Sequence, residues 1–241
     1  MSHAVEVNVL SESGKEHHCF ILIGEIKFTN VVMNIVKDQS VETFLEALAS
    51  KSATPGGGSA VAVLGAMGAA LVSMVANLTL GKKNYEEVQG EILEILETAE
   101  RLRVRILDQV AADIAAFDQV MAAYGLPKDS EQQKASRSLA IQEGLKIAAE
   151  SPLDCAALCR EVILLCQRVA EIGNRNVISD AGVGVLAAHA GFRSALLNVY
   201  VNTGAIRDEV FVADALSRLE ALGSGLDEIA DATYRRVRER L

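Results

Sequence analysis

The chain has 241 residues, half of them hydrophobic, with no Trp and a formal net charge of −9. That apolar share excludes a largely disordered chain, and the acidic balance excludes nucleic acid as the main partner, because phosphates demand a basic face. Three prolines against 35 alanines favour closely packed helices.

Residues 1–37 differ from everything after them. Ala4 to Leu10 alternates with period two, and Cys19 to Phe28 is rich in β-branched residues and Phe, with a turn expected over Ser11–Lys15. This extension can pair as a small β-hairpin appendage, and Met33 offers a second start behind it. The apolar run Phe20–Val36 is interrupted by Glu25 and Lys27 and lacks a basic start, so it does not read as a signal peptide.

From residue 38 to 241 the pattern is helical throughout. Ser40 can cap a helix through Phe44, Leu45 and Leu48. Thr54-Pro55-Gly56-Gly57-Gly58-Ser59 opens a helix running to about Leu80, with no charge from Ala53 to Gly81. That run is long enough for a membrane span. Its Gly, Ala, Ser and Val content, with small residues recurring at Gly58, Ala62, Ala66, Ala70 and at Gly65, Ala69, Ser73, favours a central soluble helix packed closely by others. A long helix is expected over about 85–124 and another over 130–149. Pro152 reads as the first turn of a further helix to about Glu171, which Gly173-Asn174 closes; two more follow over 179–202 and 207–240. The expected architecture is one all-α antiparallel bundle.

Polar groups stand where apolar ones are expected. Ile92, Leu96, Ala99, Ile106, Val110, Phe117, Met121 and Tyr124 form one stripe, and Asp113 lies inside it. A carboxylate turned inward is costly unless paired, hydrogen-bonded or protonated, so Asp113 is either a structural bond between helices or an acid/base group in a cleft. After Ser179, a candidate cap, the residues Asp180, Ala187, Gly191, Ser194 and Asn198 share a small, polar face, suited to close helix packing or to a recessed ligand site. The glycine turn before the uncharged helix offers free backbone N–H groups, but it is not a Walker loop. Lys82 and Lys83 follow the far end of that helix, where positive charge suits the dipole. The cysteines (19, 155, 159 and 166) form no CxxC pair and the four histidines no spaced cluster, so no metal site is expected and the thiols read as buried in a reducing cytosol.

Several stretches together resemble the formimidoyltetrahydrofolate cyclodeaminase / methenyltetrahydrofolate cyclohydrolase family. They are Ala53–Ser59, Met67–Leu71, Gly81-Lys-Lys-Asn-Tyr85, Asp113–Phe117 followed by Leu126-Pro-Lys128, Gln142–Leu145, Gly173-Asn174, Ser179-Asp180 and Asn198-Val199. They run in family order over about 40–241, and residues 1–37 lie outside the resemblance. It implies an all-helical oligomer with a folate substrate, no cofactor beyond it, and a cytoplasmic home. It implies an acid/base aspartate at Asp113; on position and charge alone, Gly56, Gly57, Gly58, Ser59, Lys82, Lys83, Asn174, Ser179, Asp180 and Asn198 are the expected substrate-binding residues. Where the cyclodeaminase branch often carries Asp-Ala-Asp, Ala111 replaces the first Asp. The chain is most similar to free-standing bacterial cyclohydrolases, with no formiminotransferase domain in front. The expected reaction is hydrolysis of 5,10-methenyltetrahydrofolate to 10-formyltetrahydrofolate; the alternatives are the cyclodeaminase ring closure with loss of ammonia, or a non-catalytic helical assembly module. A symmetric dimer is expected, using neither nucleic acid nor a membrane.

Overall fold

The structure is a computed structural model that describes residues 5–10, 16–21 and 39–241. In the N-terminal unit, β1 (Val5–Leu10) and β2 (Glu16–Ile21) pair antiparallel, from Val5 opposite Ile21 to Leu10 opposite Glu16. The alternating run supplies β1. β2 begins three residues before the Cys19–Phe28 run, and the remainder of that run, the Ser11–Lys15 turn and Met33 lie outside the described residues.

The second unit is all-α: α1 (Val41–Leu48), α2 (Gly57–Asn77), α3 (Gln89–Tyr124), α4 (Glu131–Ile172), α5 (Ile178–Thr203), α6 (Glu209–Gly223) and α7 (Leu226–Arg240). Local chemistry starts several of them. Ser40 accepts a hydrogen bond from the Thr43 amide, Ser130 and Gln133 form a reciprocal capping box, and Asp208 accepts from the Phe211 amide.

Helices α2 to α5 form an up-down-up-down bundle with α2 as its tightest member. A Cβ on Gly65 would stand 2.7 Å from Cys159 Sγ and 3.1 Å from Ile106 Cγ2, and one on Gly68 would stand 2.9 Å from Ala188 Cβ. The small residues therefore let α3, α4 and α5 approach the α2 backbone at close range. Ala62, Gly65, Ala66, Ala69 and Ser73 are buried as that reading requires, whereas Ala70 faces outward. Most of the apolar span of α2 is buried, so the membrane-like segment is a core helix of a soluble bundle. Cys155, Cys159 and Cys166 are buried free thiols on α4, and burial pushes the Cys166 thiol well up.

Three expectations need correction. Pro152 does not start a helix: α4 runs unbroken through it for 42 residues. Proline leaves the Ala148 carbonyl without its usual amide donor, and Asn202 Nδ2 of α5 donates to that carbonyl at 2.6 Å instead. The segment 207–240 is two helices, because Gly225 adopts φ +70°, a turn that apolar periodicity does not register. Ser179 is not a cap, since α5 begins one residue earlier and Asn174 caps the preceding 3-10 turn by accepting from the Asn176 amide.

Candidate active site

Asp113 lies on α3 where the N-terminus of α2 meets it. Ser59 Oγ donates to Asp113 Oδ2 at 3.2 Å, and the nearby Ser59 amide also favours the charged carboxylate. Gly58 completes the contact: a Cβ there would overlap the Asp113 carboxylate. The glycine turn, whose Thr54–Pro55 peptide is cis, thus brings bare backbone and one hydroxyl against an acidic group. Burial raises the Asp113 pKa, and the Ser59 hydroxyl and amide only partly offset it. No cation pairs with it among the described residues.

The surroundings follow from helix lengths. α3 runs opposite to α2, with Gly65 level with Ile106 and Gly58 level with Asp113, so α3 continues about 16 Å past the start of α2. α4 overshoots as well, since Cys159 lies level with Gly65 and the helix begins at Glu131. Beyond α2, Phe117, Met121 and Tyr124 are therefore 36%, 51% and 46% exposed, although the stripe reading made them core. They form an exposed apolar strip on the face of α3 that carries Asp113, continuing past the start of α2. Asn198 of α5 stands at the same end, its Oδ1 3.6 Å from where a Gly57 Cβ would be. At this end of α3 and α4, Val120, Ala123, Ile141, Leu145, Ala149 and Ile206 make a second small core.

A cavity of about 300 Å³ opens at this end between Tyr124, Arg137, Gln142 and Arg207. Arg137 lies over the Tyr124 ring at 5.5 Å and donates to the Tyr124 carbonyl, while Arg207 donates to Ser138 Oγ. Sequence reasoning missed both arginines. Arg137 lies in sequence between the Leu126-Pro-Lys128 and Gln142–Leu145 stretches, whereas Arg207 reaches Gln142 only through the fold, its amide donating to Gln142 Oε1 at 2.7 Å.

The remaining predicted residues are elsewhere. Lys82 and Lys83 follow the other end of α2, about 30 Å from Gly57. Together with Tyr85, Asn174 and Arg175 they line a basic cavity of about 370 Å³. Asn174 is pinned there: its amide donates to Thr79 Oγ1 and its side chain to the Leu78 carbonyl. Ser179 and Asp180 occupy the first turn of α5 at this same end. Asp180 and Asn198 lie along one side of α5 but about 27 Å apart, so in one chain they cannot grip one small ligand. The predicted set thus splits into two groups: Gly56, Gly57, Gly58, Ser59, Asp113 and Asn198 at one end, and Lys82, Lys83, Asn174, Ser179 and Asp180 at the other. Among the described residues no group of side chains is suited to hold a metal ion.

Comparison with known proteins bears on this arrangement. The profile described as formiminotransferase-cyclodeaminase matches residues 40–221. A methenyltetrahydrofolate cyclohydrolase of Methylorubrum extorquens is 52% identical over 204 residues, covering 85% of this chain and 98% of that one. The formimidoyltransferase-cyclodeaminase of Rattus norvegicus is 31% identical over 185 residues, which are 77% of this chain but only 34% of the rat protein. Among solved structures, formiminotetrahydrofolate cyclodeaminase from Thermotoga maritima superposes with a TM-score of 0.73 at 35% identity, covering 86% of this chain and 97% of that one.

Proposed function

The chain belongs to the formiminotransferase-cyclodeaminase family, and from that premise we infer that it is a methenyltetrahydrofolate cyclohydrolase, converting 5,10-methenyltetrahydrofolate to 10-formyltetrahydrofolate. The observation that carries the reading is the 52% identity to a methenyltetrahydrofolate cyclohydrolase across nearly its whole length. The half-buried Asp113, beside the exposed apolar strip of Phe117, Met121 and Tyr124, suits the chemistry such a reaction needs.

The bridging carbon of the substrate sits in a cationic amidinium between N5 and N10. A half-buried carboxylate attracts that cation and accepts a proton. Water attacks the bridging carbon while Asp113 takes its proton, giving a neutral carbinolamine. The bond from carbon to N5 then breaks, its electron pair stays on N5, and Asp113 returns the proton there. The carbinolamine hydroxyl loses its proton to solvent and becomes the formyl carbonyl, so one proton is released overall. Asn198 is placed to hold the attacking water, and the amides of Gly57 and Gly58 a polar edge of the folate. Phe117 and Met121 suit the flat benzoyl ring, and Arg137 with Arg207 suits the carboxylates of the glutamate tail. The enzyme works in the cytoplasm as a homo-oligomer, a dimer being the simplest closed form.

A side-by-side assay tests the reaction. Loss of methenyltetrahydrofolate absorbance above the uncatalysed rate, without ammonia release from 5-formiminotetrahydrofolate, is the expected result. Ammonia release alone would make the chain a cyclodeaminase. Neither activity, together with no ligand-induced melting shift, would leave a helical assembly module.

A further inference from the structure

We propose that Asn202 is a positioning residue for the hydrolysis: it holds the end of α5, and with it Asn198, through a carbonyl that Pro152 leaves open on α4. The proposal rests on the cyclohydrolase reading and concerns how the chain keeps Asn198 beside the aspartate.

The first turn of α2 has Asp113 on one flank and Asn198 on the other. A Cβ on Gly58 would overlap the Asp113 carboxylate, and one on Gly57 would stand 3.6 Å from Asn198 Oδ1. The two side chains arrive there with unequal support. Asp113 sits well inside α3, which continues to Tyr124, whereas Asn198 sits close to the end of α5 at Thr203. Helical bonding pairs the carbonyl of Asn198 with the amide of Asn202, so the turn that carries Asn198 closes at Asn202. The carbonyls beyond it have no amides to meet, and helix ends of this kind open readily. Asn198 shares that motion unless something outside α5 restrains it.

The restraint comes from α4. Asn202 Nδ2 donates to the Ala148 carbonyl at 2.6 Å. That carbonyl is available because residue 152 is proline and has no amide to return to it. The same stretch of α4 is level with the site. Ser151 Oγ lies 3.5 Å from Gln109 Oε1, and Gln109 is one turn before Asp113 on the same side of α3. Leu153 and Val199, the neighbours of Pro152 and Asn198, are buried in one cluster with Ala215 and Leu219 of α6. Thr203, by contrast, turns its hydroxyl back on α5, donating to the Val199 carbonyl at 2.8 Å, and ties the helix to nothing else. The proline thus converts a gap in the ladder of α4 into a docking point for α5. An ordinary residue at 152 would fill that gap and compete with Asn202 for the carbonyl. Without the Asn202 bond, Asn198 drifts from the carboxylate, and a displacement of about 1 Å at the group that holds the attacking water slows the chemical step. Folate binding, made mostly by other groups, changes little.

Steady-state kinetics of full-length variants, with turnover expressed per folded molecule, tests this. Asn198→Ala should lower kcat on the order of tenfold and Asn202→Ala about fivefold, each with KM within about twofold of wild type. Asn202→Asp, alike in size but without the donor, should be at least as slow as Asn202→Ala. Because Asn202 acts through Asn198, the double variant Asn198→Ala/Asn202→Ala should be no slower than Asn198→Ala alone. Pro152→Ala introduces the competing amide, so it should raise the melting temperature yet lower kcat about twofold. Wild-type kcat in the Asn202 variants or in Pro152→Ala, or losses that multiply in the double variant, overturns the proposal. Wild-type turnover reports separately on the cyclohydrolase reading. If that activity is absent, amide hydrogen exchange reads the restraint directly: in Asn202→Asp, residues 199–203 should exchange about tenfold faster while the middle of α5 is unchanged. Equal exchange in the variant and the wild type overturns the proposal as well.

Discussion

Ile106 and Phe117 point the same way from α3, three turns apart, yet the first is completely buried and the second is 36% exposed. At Ile106 the backbone of α2 passes at Gly65; at Phe117 α2 has not begun. The difference shows that a hydrophobic stripe reports the direction of side chains, not what stands opposite them. One face of one helix is thus packed in the middle of the bundle and open at its end.

Substitutions in the two regions should separate cleanly. Asp113→Asn is expected to lower turnover by about 10²–10⁴-fold, as loss of a general base does, with helical content unchanged. The same change should raise stability at neutral pH. Burial lifts the folded-state pKa of Asp113 above its unfolded value, so its contribution is full below the unfolded pKa and is lost as pH rises through the folded one. A pH series of melting curves for the two proteins checks the sign. Gly58→Ala puts a Cβ into the Asp113 carboxylate and should cost turnover on the order of 10²-fold by misplacing it. By contrast, Gly65→Val, seven residues along the same helix, should cost about 1–3 kcal/mol in urea unfolding, with the rate per folded molecule retained. Equal loss of activity in both glycine variants would erase the distinction between the regions.

Two smaller effects sharpen it. The ascending limb of the pH–rate profile should lie above the pKa of an ordinary aspartate, and Ser59→Ala, by removing the hydroxyl bond that favours the charged form, should move it higher still. Asn202→Ala should lower stability by about 1 kcal/mol by leaving the Ala148 carbonyl unbonded. Combined with Pro152→Ala, which restores an amide donor within α4, the loss should shrink.

Much of this was legible in the chain itself. Period, caps and the glycine turn located the helices, and the one acidic residue inside an apolar stripe singled out Asp113. What escaped is what depends on lengths. That α2 stops level with Asp113 while α3 and α4 continue is invisible to periodicity, so Phe117, Met121 and Tyr124 read as core. The unbroken α4 was hidden because the donor that compensates Pro152 comes from Asn202, fifty residues on. Arg137 and Arg207 become neighbours only through the cavity they line. The same arithmetic of lengths separated Lys82 and Lys83 from the aspartate with which position and charge had grouped them.

The raised pKa of Asp113 has a calorimetric consequence. At a pH near that pKa, part of the population holds a neutral acid; a cationic ligand bound beside it favours the carboxylate and so expels a proton to the medium. The apparent heat of association should therefore vary with the ionisation enthalpy of the chosen buffer, and the slope would count the protons released.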